Sequence, residues 1–210
     1  MSTETSLHEL QTHCLVRIVD DDAGVRDSYR FFLEGEGWMT KCFESAEAFL
    51  KDDNPDIPGC LVLDVRMNGM SGPELHNLLI HAHSTHGIVF VSAHGTIADA
   101  VRAVKHGAVD FLTKPVDENV LIETVASAAE KSWRAARQNE HMLAFNTLTA
   151  REREVVMAVA RGRLNKQIAG DLNISERTVQ VHRANAQHKI GVKTSAELVK
   201  FIVELGVLKQ

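Results

Sequence analysis

The sequence predicts an α/β chain with an all-α end: a doubly wound, five-stranded parallel sheet in the order 2-1-3-4-5, a helical linker, and a four-helix unit of helix-turn-helix proportions. Three observations predict it. Over the first 130 residues, short β-branched apolar runs alternate with amphipathic stretches, as in a parallel sheet covered by helices on both faces. From Glu123 to Met142 no glycine or proline interrupts a helical repeat of Val125, Ala128, Ala129, Trp133 and Ala136. After Leu148, capping signals punctuate short apolar repeats.

Residues 1–14 form an N-terminal extension in which Glu4, His8, Glu9 and His13 precede any apolar run. That is unlike a secretory leader, and a cytoplasmic location is expected. Strands are expected at Leu15–Val19, Thr40–Phe43, Cys60–Leu63, Ile88–Val91 and Asp110–Leu112, the solidly apolar first, third and fourth being central. Helices fall near Val25–Gly35, Ala46–Leu50, Pro73–His81 and Ile97–His106, with a fifth from Asp117 onward; Pro73 suits a first helical turn. The sheet unit thus covers residues 15–130 and the linker 131–147. In the last unit, 148–210, Thr149 and Glu152 make a capping box, helices follow at Lys166–Leu172 and Glu176–Ile190, and Thr194 with Glu197 caps Ala196–Leu205.

Composition narrows the class. With 44% apolar and 24% charged residues and four prolines, the chain is neither collagenous nor mostly disordered. Its longest apolar run, Val155 to Ala160, is too short to span a bilayer, and no membrane partner is expected. Cys14, Cys42 and Cys60 form no C-x-x-C pair and read as small apolar residues in or beside strands. The net charge of −5 averages two opposed halves: residues 1–145 hold 12 Lys and Arg against 22 Asp and Glu, residues 146–210 hold 11 against 6. A basic end after an acidic body points to nucleic acid.

At the carboxyl ends of the strands, where open α/β sheets gather their chemistry, stand Asp20-Asp21-Asp22, Asp64, Ser92 and Thr113-Lys114-Pro115. Carboxylates grouped in this way repel one another and any phosphate, so the pattern calls for a hard cation with oxygen ligands, such as Mg²⁺. Lys114 offers a fixed positive charge and Ser92 a hydroxyl donor to a transferred phosphoryl group, with a carboxylate as nucleophile. Asp22 reads as a helix cap.

These residues resemble the receiver domain of two-component response regulators over positions 15 to about 130. The resemblance implies phosphorylation of Asp64 by a sensor histidine kinase. It also implies a Mg²⁺ site of Asp21, Asp64 and the Arg66 carbonyl, with Asp20 acting through water, and a switch made by Ser92, Lys114 and Phe111. A Lys114-Pro115 peptide in the cis form would accord with it. One departure is Met67-Asn68-Gly69-Met70-Ser71-Gly72, where such domains usually carry a proline at the second position. Asn-Gly there is expected to loosen the loop that positions Arg66.

In the third helix of the last unit, Val179, His182, Ala186 and Ile190 share the side expected inside. Arg177, Gln180, Val181, Ala184 and His188 face outward, and no carboxylate follows Glu176, which suits the major groove of double-stranded DNA. Leu148 to Val156, Asn165 to Ala169, Ile174-Ser175 and Thr178 to Arg183 resemble the LuxR-type helix-turn-helix domain. That resemblance implies phosphate contacts by Lys166, Thr178 and Arg183, base-edge contacts by Gln180, Val181 and Ala184, and Arg177 at the groove rim. It implies pairing through the last helix, with Val199, Ile202 and Val203 as candidates, and RNA polymerase as a further partner. With Ser92-Ala93-His94-Gly95-Thr96, the combination most resembles the FixJ-like branch. There, phosphorylation pairs receivers into a homodimer, which carries over to Val101 and Lys105.

Two competing functions are an aspartyl-nucleophile phosphohydrolase and a regulator that works without phosphate. The first reads Asp20-Asp21-Asp22 as a D-x-D motif, but lacks the Thr that should follow and leaves Asp64 and Lys114 without roles. An enzyme is not expected. His76, His81, His83 and His86 lie close in sequence without an acidic or thiol partner and read as solvated surface.

Overall fold

The computed structural model describes residues 6–208, so residues 1–5 of the N-terminal extension and residues 209–210 of the last unit lie outside the described part. The chain divides into two compact units between Ala136 and Arg137.

The first unit opens with α1 (Leu7–His13), capped by the Ser6 hydroxyl, which accepts the Glu9 N–H at 3.2 Å. Its polar composition hid it: only Leu10 is buried along its length. Then follow β1 (Leu15–Val19), α2 (Ala23–Gly35), β2 (Met39–Phe43), α3 (Ala46–Asp52), β3 (Gly59–Asp64), α4 (Gly72–His81), β4 (Gly87–Ser92), α5 (Ile97–Lys105) and β5 (Asp110–Thr113). The strands form one parallel sheet in the order β2-β1-β3-β4-β5. Helix α2 begins two residues earlier than its apolar pattern because the Asp22 carboxylate accepts the N–H groups of Gly24 and Val25.

Both faces of β3 and β4 are buried, which is why these strands read as unbroken apolar runs rather than as alternation. Val16, Ile18, Cys60, Val62, Val89 and Val91 build one layer, against Leu33 of α2 and Val125, Ala128 and Ala129 of the long helix α6 (Glu118–Asn146). Val19, Leu61, Leu63, Ile88 and Phe90 build the other, against Phe49 and Leu75. Each of these Val, Leu, Ile and Phe side chains contributes about 1.5–3 kcal/mol by leaving water. His76 and His86 are buried, not solvated: the His76 ring lies edge-on to Phe90, and His86 bonds the Ser84 hydroxyl at 2.8 Å. Burial lowers the His86 pKa to about 4.

A cationic side chain is enclosed on β1. Arg17 of β1 is fully buried, and its guanidinium donates to Asp53 Oδ1 at 2.8 Å and to the carbonyls of Leu15, Asn54 and Ile57 at 3.1, 2.8 and 2.8 Å. A buried cation is tolerable only with such a complete set of acceptors.

The second unit holds the end of α6 and α7 (Ala150–Ala160), α8 (Asn165–Leu172), α9 (Glu176–Lys189) and α10 (Ser195–Glu204). Its core joins Phe145, Val155, Val156, Ile168, Val179, Ala186, Leu198 and Ile202. Glu152 closes the first capping box by accepting the Thr149 N–H at 2.8 Å, and the same carboxylate receives Lys189 Nζ at 2.7 Å, tying the end of α9 to α7. Among the described residues no helix is long and apolar enough to cross a membrane.

Asp53→Ala strands the Arg17 charge and should cost the first unit about 3 kcal/mol in urea denaturation, whereas Arg17→Met with Asp53→Leu should cost clearly less. Equal losses would show that the ion pair is not what holds this turn.

Candidate functional site

The parallel register brings four strand ends to one edge of the sheet, with Asp64 beside Val91 and Ser92 beside Thr113. Asp20, Asp64 and Ser92 are buried there, while Asp21 is exposed. Lys114 enters from the end of β5 and bridges the two buried carboxylates, its Nζ 2.6 Å from Asp20 Oδ2 and 2.7 Å from Asp64 Oδ1. The remaining oxygens are also engaged: Asp20 Oδ1 accepts the Asp22 N–H at 2.9 Å and Asp64 Oδ2 the Arg66 N–H at 2.7 Å. Burial pushes the Asp64 carboxyl upward in pKa, against the pull of its bond to Lys114. For Lys114, burial opposes the charge, but the bonds to Asp20 and Asp64 outweigh it and the net shift is upward, so the ammonium persists. The Lys114-Pro115 peptide is cis.

The loop after β3 departs from expectation. It is tied down on both sides rather than loosened. The Asn68 side-chain amide and backbone N–H both donate to Asp21 Oδ2, at 3.0 and 3.3 Å, and the Met70 N–H donates to Glu47 Oε1 of α3 at 2.9 Å. Gly69 sits at φ +80° between these anchors, where a Cβ would lie 2.7 Å from that Glu47 oxygen.

Among the switch candidates, Ser92 Oγ accepts the His94 N–H at 3.2 Å, and Phe111 is half-buried beside Phe90. Gly95 makes room for that ring, since a Cβ there would fall 2.3 Å from Phe111 Cε1. Val101 and Lys105 are exposed on α5, together with Ile97 and Val104, two apolar neighbours that the sequence reading did not single out.

In the second unit, α8 ends at Asn173, which adopts a left-handed conformation, and Ser175 caps α9 by accepting the Thr178 N–H at 3.1 Å. Val179, Ala186 and Ile190 are buried and His182 is half-buried, so Arg177, Gln180, Val181, Ala184 and His188 lie exposed as phased. Lys166 is exposed on α8. Thr178 and Arg183 are half-buried and engaged, the Thr178 hydroxyl with that of Ser175 and the Arg183 guanidinium with the Ser195 hydroxyl. On α10, Ile202 is core and only Val203 of the three pairing candidates is exposed, Val199 being half-buried.

The receiver-domain model of response regulators matches residues 16–126, and the model of bacterial regulatory proteins of the luxR family matches residues 146–202. This chain belongs to the response regulators. The regulator is 42% identical over 200 residues to the transcriptional regulatory protein FixJ of Rhizobium meliloti strain 1021, covering 93% of this chain and 98% of FixJ. It is 40% identical over 190 residues to the response regulator protein TodT of Pseudomonas putida strain F1, covering 89% of this chain and 84% of TodT. Among solved structures it is similar to the response regulator StyR, with a TM-score of 0.67, 41% identity and 91% and 99% of the two chains covered. Full-length FixJ from B. japonicum gives a TM-score of 0.55 at 35% identity, with 93% and 98% covered. These relatives are regulators, not enzymes, and the phosphohydrolase alternative falls away.

In this response regulator the donors available to a cation are the right kind: carboxylates of Asp20, Asp21 and Asp64 and a backbone carbonyl at Arg66, all hard oxygens. They are not drawn together as a ready ligand set. Among the described residues no three His, Cys, Asp or Glu side chains converge as a metal-binding group; Lys114 bridges Asp20 and Asp64, and Asp21 is engaged by Asn68. The contact of Gly95 with Phe111, the role of Glu47 and the bonds from Asn68 to Asp21 escaped sequence reading because each joins residues distant in the chain.

Because the folded chain raises the Asp64 pKa, its stability contribution is full at low pH and declines as pH rises through the folded value. Asp64→Asn should therefore gain on the wild type in thermal midpoint as the pH is raised from below the ordinary carboxylate range to neutrality. A difference constant across this range would contradict the assignment of the strain to the ionised carboxylate.

Proposed function

We propose that this response regulator is a DNA-binding transcriptional regulator switched by transfer of a phosphoryl group from a sensor histidine kinase to Asp64. The bridge from Lys114 to Asp20 and Asp64 carries this reading: it holds one permanent cation beside a partly desolvated carboxylate at the end of the central strand. Asp64 Oδ1 attacks phosphorus, the P–N bond of the kinase phosphohistidine breaks, and its electron pair returns to the imidazole. Lys114 then turns its charge to the transferred oxygens, and the Ser92 hydroxyl donates to them. Bound Mg²⁺ would offset the crowded carboxylates and orient the incoming group, with Asp21, Asp64 and the Arg66 carbonyl holding it and Asp20 acting through water.

Movement of Ser92 toward the phosphoryl group frees space for Phe111 to turn inward, and the change is read on α5, where Val101 and Lys105 pair two copies. In the second unit, Lys166, Thr178 and Arg183 hold backbone phosphates, Gln180, Val181 and Ala184 meet base edges, and Arg177 lines the rim. Thr178 and Arg183 would exchange their bonds to Ser175 and Ser195 for phosphate oxygens. RNA polymerase is the partner downstream, in the cytoplasm where kinase and promoter meet.

Selection from a random DNA pool, with a small phosphodonor and Mg²⁺, should enrich one operator for the wild type and none for Asp64→Asn; equal enrichment would establish a regulator independent of phosphate. On that operator, Lys166→Ala should lower the slope of log affinity against log salt by about 0.9, while Gln180→Ala should relax preference at one base pair by roughly 1–3 kcal/mol. A reversed pattern in competition binding would exchange their roles.

A further inference from the structure

Asp21 is the expected carboxylate ligand that Lys114 does not touch, and its Oδ2 oxygen is bonded elsewhere. Asp21 Oδ2 takes the Asn68 side-chain amide at 3.0 Å and the Asn68 backbone N–H at 3.3 Å. Asn68 is itself exposed, yet it is not adrift, because its loop is anchored two residues on by the Met70 N–H to Glu47 Oε1 bond of 2.9 Å. That bond is the main reason the Glu47 carboxyl lies below the usual carboxylate range. Gly69 sits at φ +80°, a conformation that other residues rarely adopt, and so favours the turn that presents the amide to Asp21.

A carboxylate oxygen that receives two N–H donors carries their positive hydrogens where a divalent cation would approach. The two cannot share those lone pairs, since the hydrogens and the cation repel each other. We propose that Asn68 is a positioning residue that latches Asp21 in competition with the divalent cation, and so sets the Mg²⁺ concentration at which the pocket becomes ready for phosphoryl transfer. The proposal rests on the Mg²⁺ site named above. Its energetics are those of a pre-equilibrium: the apparent affinity falls by the fraction of molecules in which the latch is open. Each hydrogen bond to the ionised carboxylate adds weight to the closed form. The backbone donor remains whatever residue other than proline stands at this position, so the side-chain amide is the adjustable part.

The test is Mg²⁺ binding itself, measured by calorimetry on the full chain without phosphodonor, for wild type, Asn68→Ala and Asn68→Leu. Leucine keeps the bulk and loses the donor. Both variants should bind Mg²⁺ roughly threefold to tenfold more tightly than the wild type. Equal or weaker binding in both would overturn the latch. An absence of Mg²⁺ binding in all three proteins would instead overturn the cation site on which it rests. A second measurement follows the Asn68 side-chain amide by NMR, its signals identified by their loss in Asn68→Ala. They should shift as Mg²⁺ is titrated into the wild type, and signals that stay in place while the cation binds would also overturn the proposal.

Discussion

Everything at the functional edge of the sheet answers to one constraint: carboxylates brought together by parallel strands must be compensated, and Lys114 does most of it. A single ammonium group within hydrogen-bond distance of both Asp20 and Asp64 makes their common burial possible. A lone buried pair of like charges would protonate or push the strands apart. The bridge requires that β1, β3 and β5 end at the same level, which the order β2-β1-β3-β4-β5 and its register provide. The surrounding backbone completes the compensation, with the N–H groups of Asp22 and Arg66 turned toward the remaining oxygens.

The two units solve the problem of charge in opposite ways. In the first, like charges are concentrated and held by few partners, so the site has chemical potential to release when a better partner arrives. In the second, positive side chains are spread over an exposed face, and the buried carboxylate of Glu152 is matched by Lys189 and the backbone of Thr149. Hydrogen bonds from Lys189 and Thr149 keep the Glu152 carboxyl below its ordinary range, so it stays ionised and the tie between α7 and α9 holds at neutral pH. The exposed face of α9 can therefore be polar without the unit losing its internal order.

Most of the sheet was legible because burial on both faces leaves unbroken apolar runs, and the pocket was legible because its residues stand at strand ends. What stayed hidden has a common physical cause. Helix α1 buries a single leucine and gives no apolar stripe. Arg17 interrupts an otherwise apolar strand in the sequence, and it is fully enclosed because most of its acceptors come from a turn some forty residues later. His76 and His86 look like surface histidines for the same reason. Asn-Gly at positions 68 and 69 carries the local signature of a loose turn, but Asp21 and Glu47 supply tethers that no local pattern contains. Ile202 has the hydrophobicity of a pairing residue, and only the packing of α10 reveals it as core.

The enclosed Arg17 fork has a bearing on how such a chain can diverge. It fastens β1 to the turn before β3 and lies away from the strand ends that hold the pocket. Cohesion is thus lodged at one place and reactivity at another. Substitutions around the carboxyl ends of the strands can retune the chemistry of the pocket while the scaffold stays folded. Changes at the fork are filtered by folding before any signalling property is exposed to selection. The separation gives this protein room to acquire new inputs without rebuilding its frame.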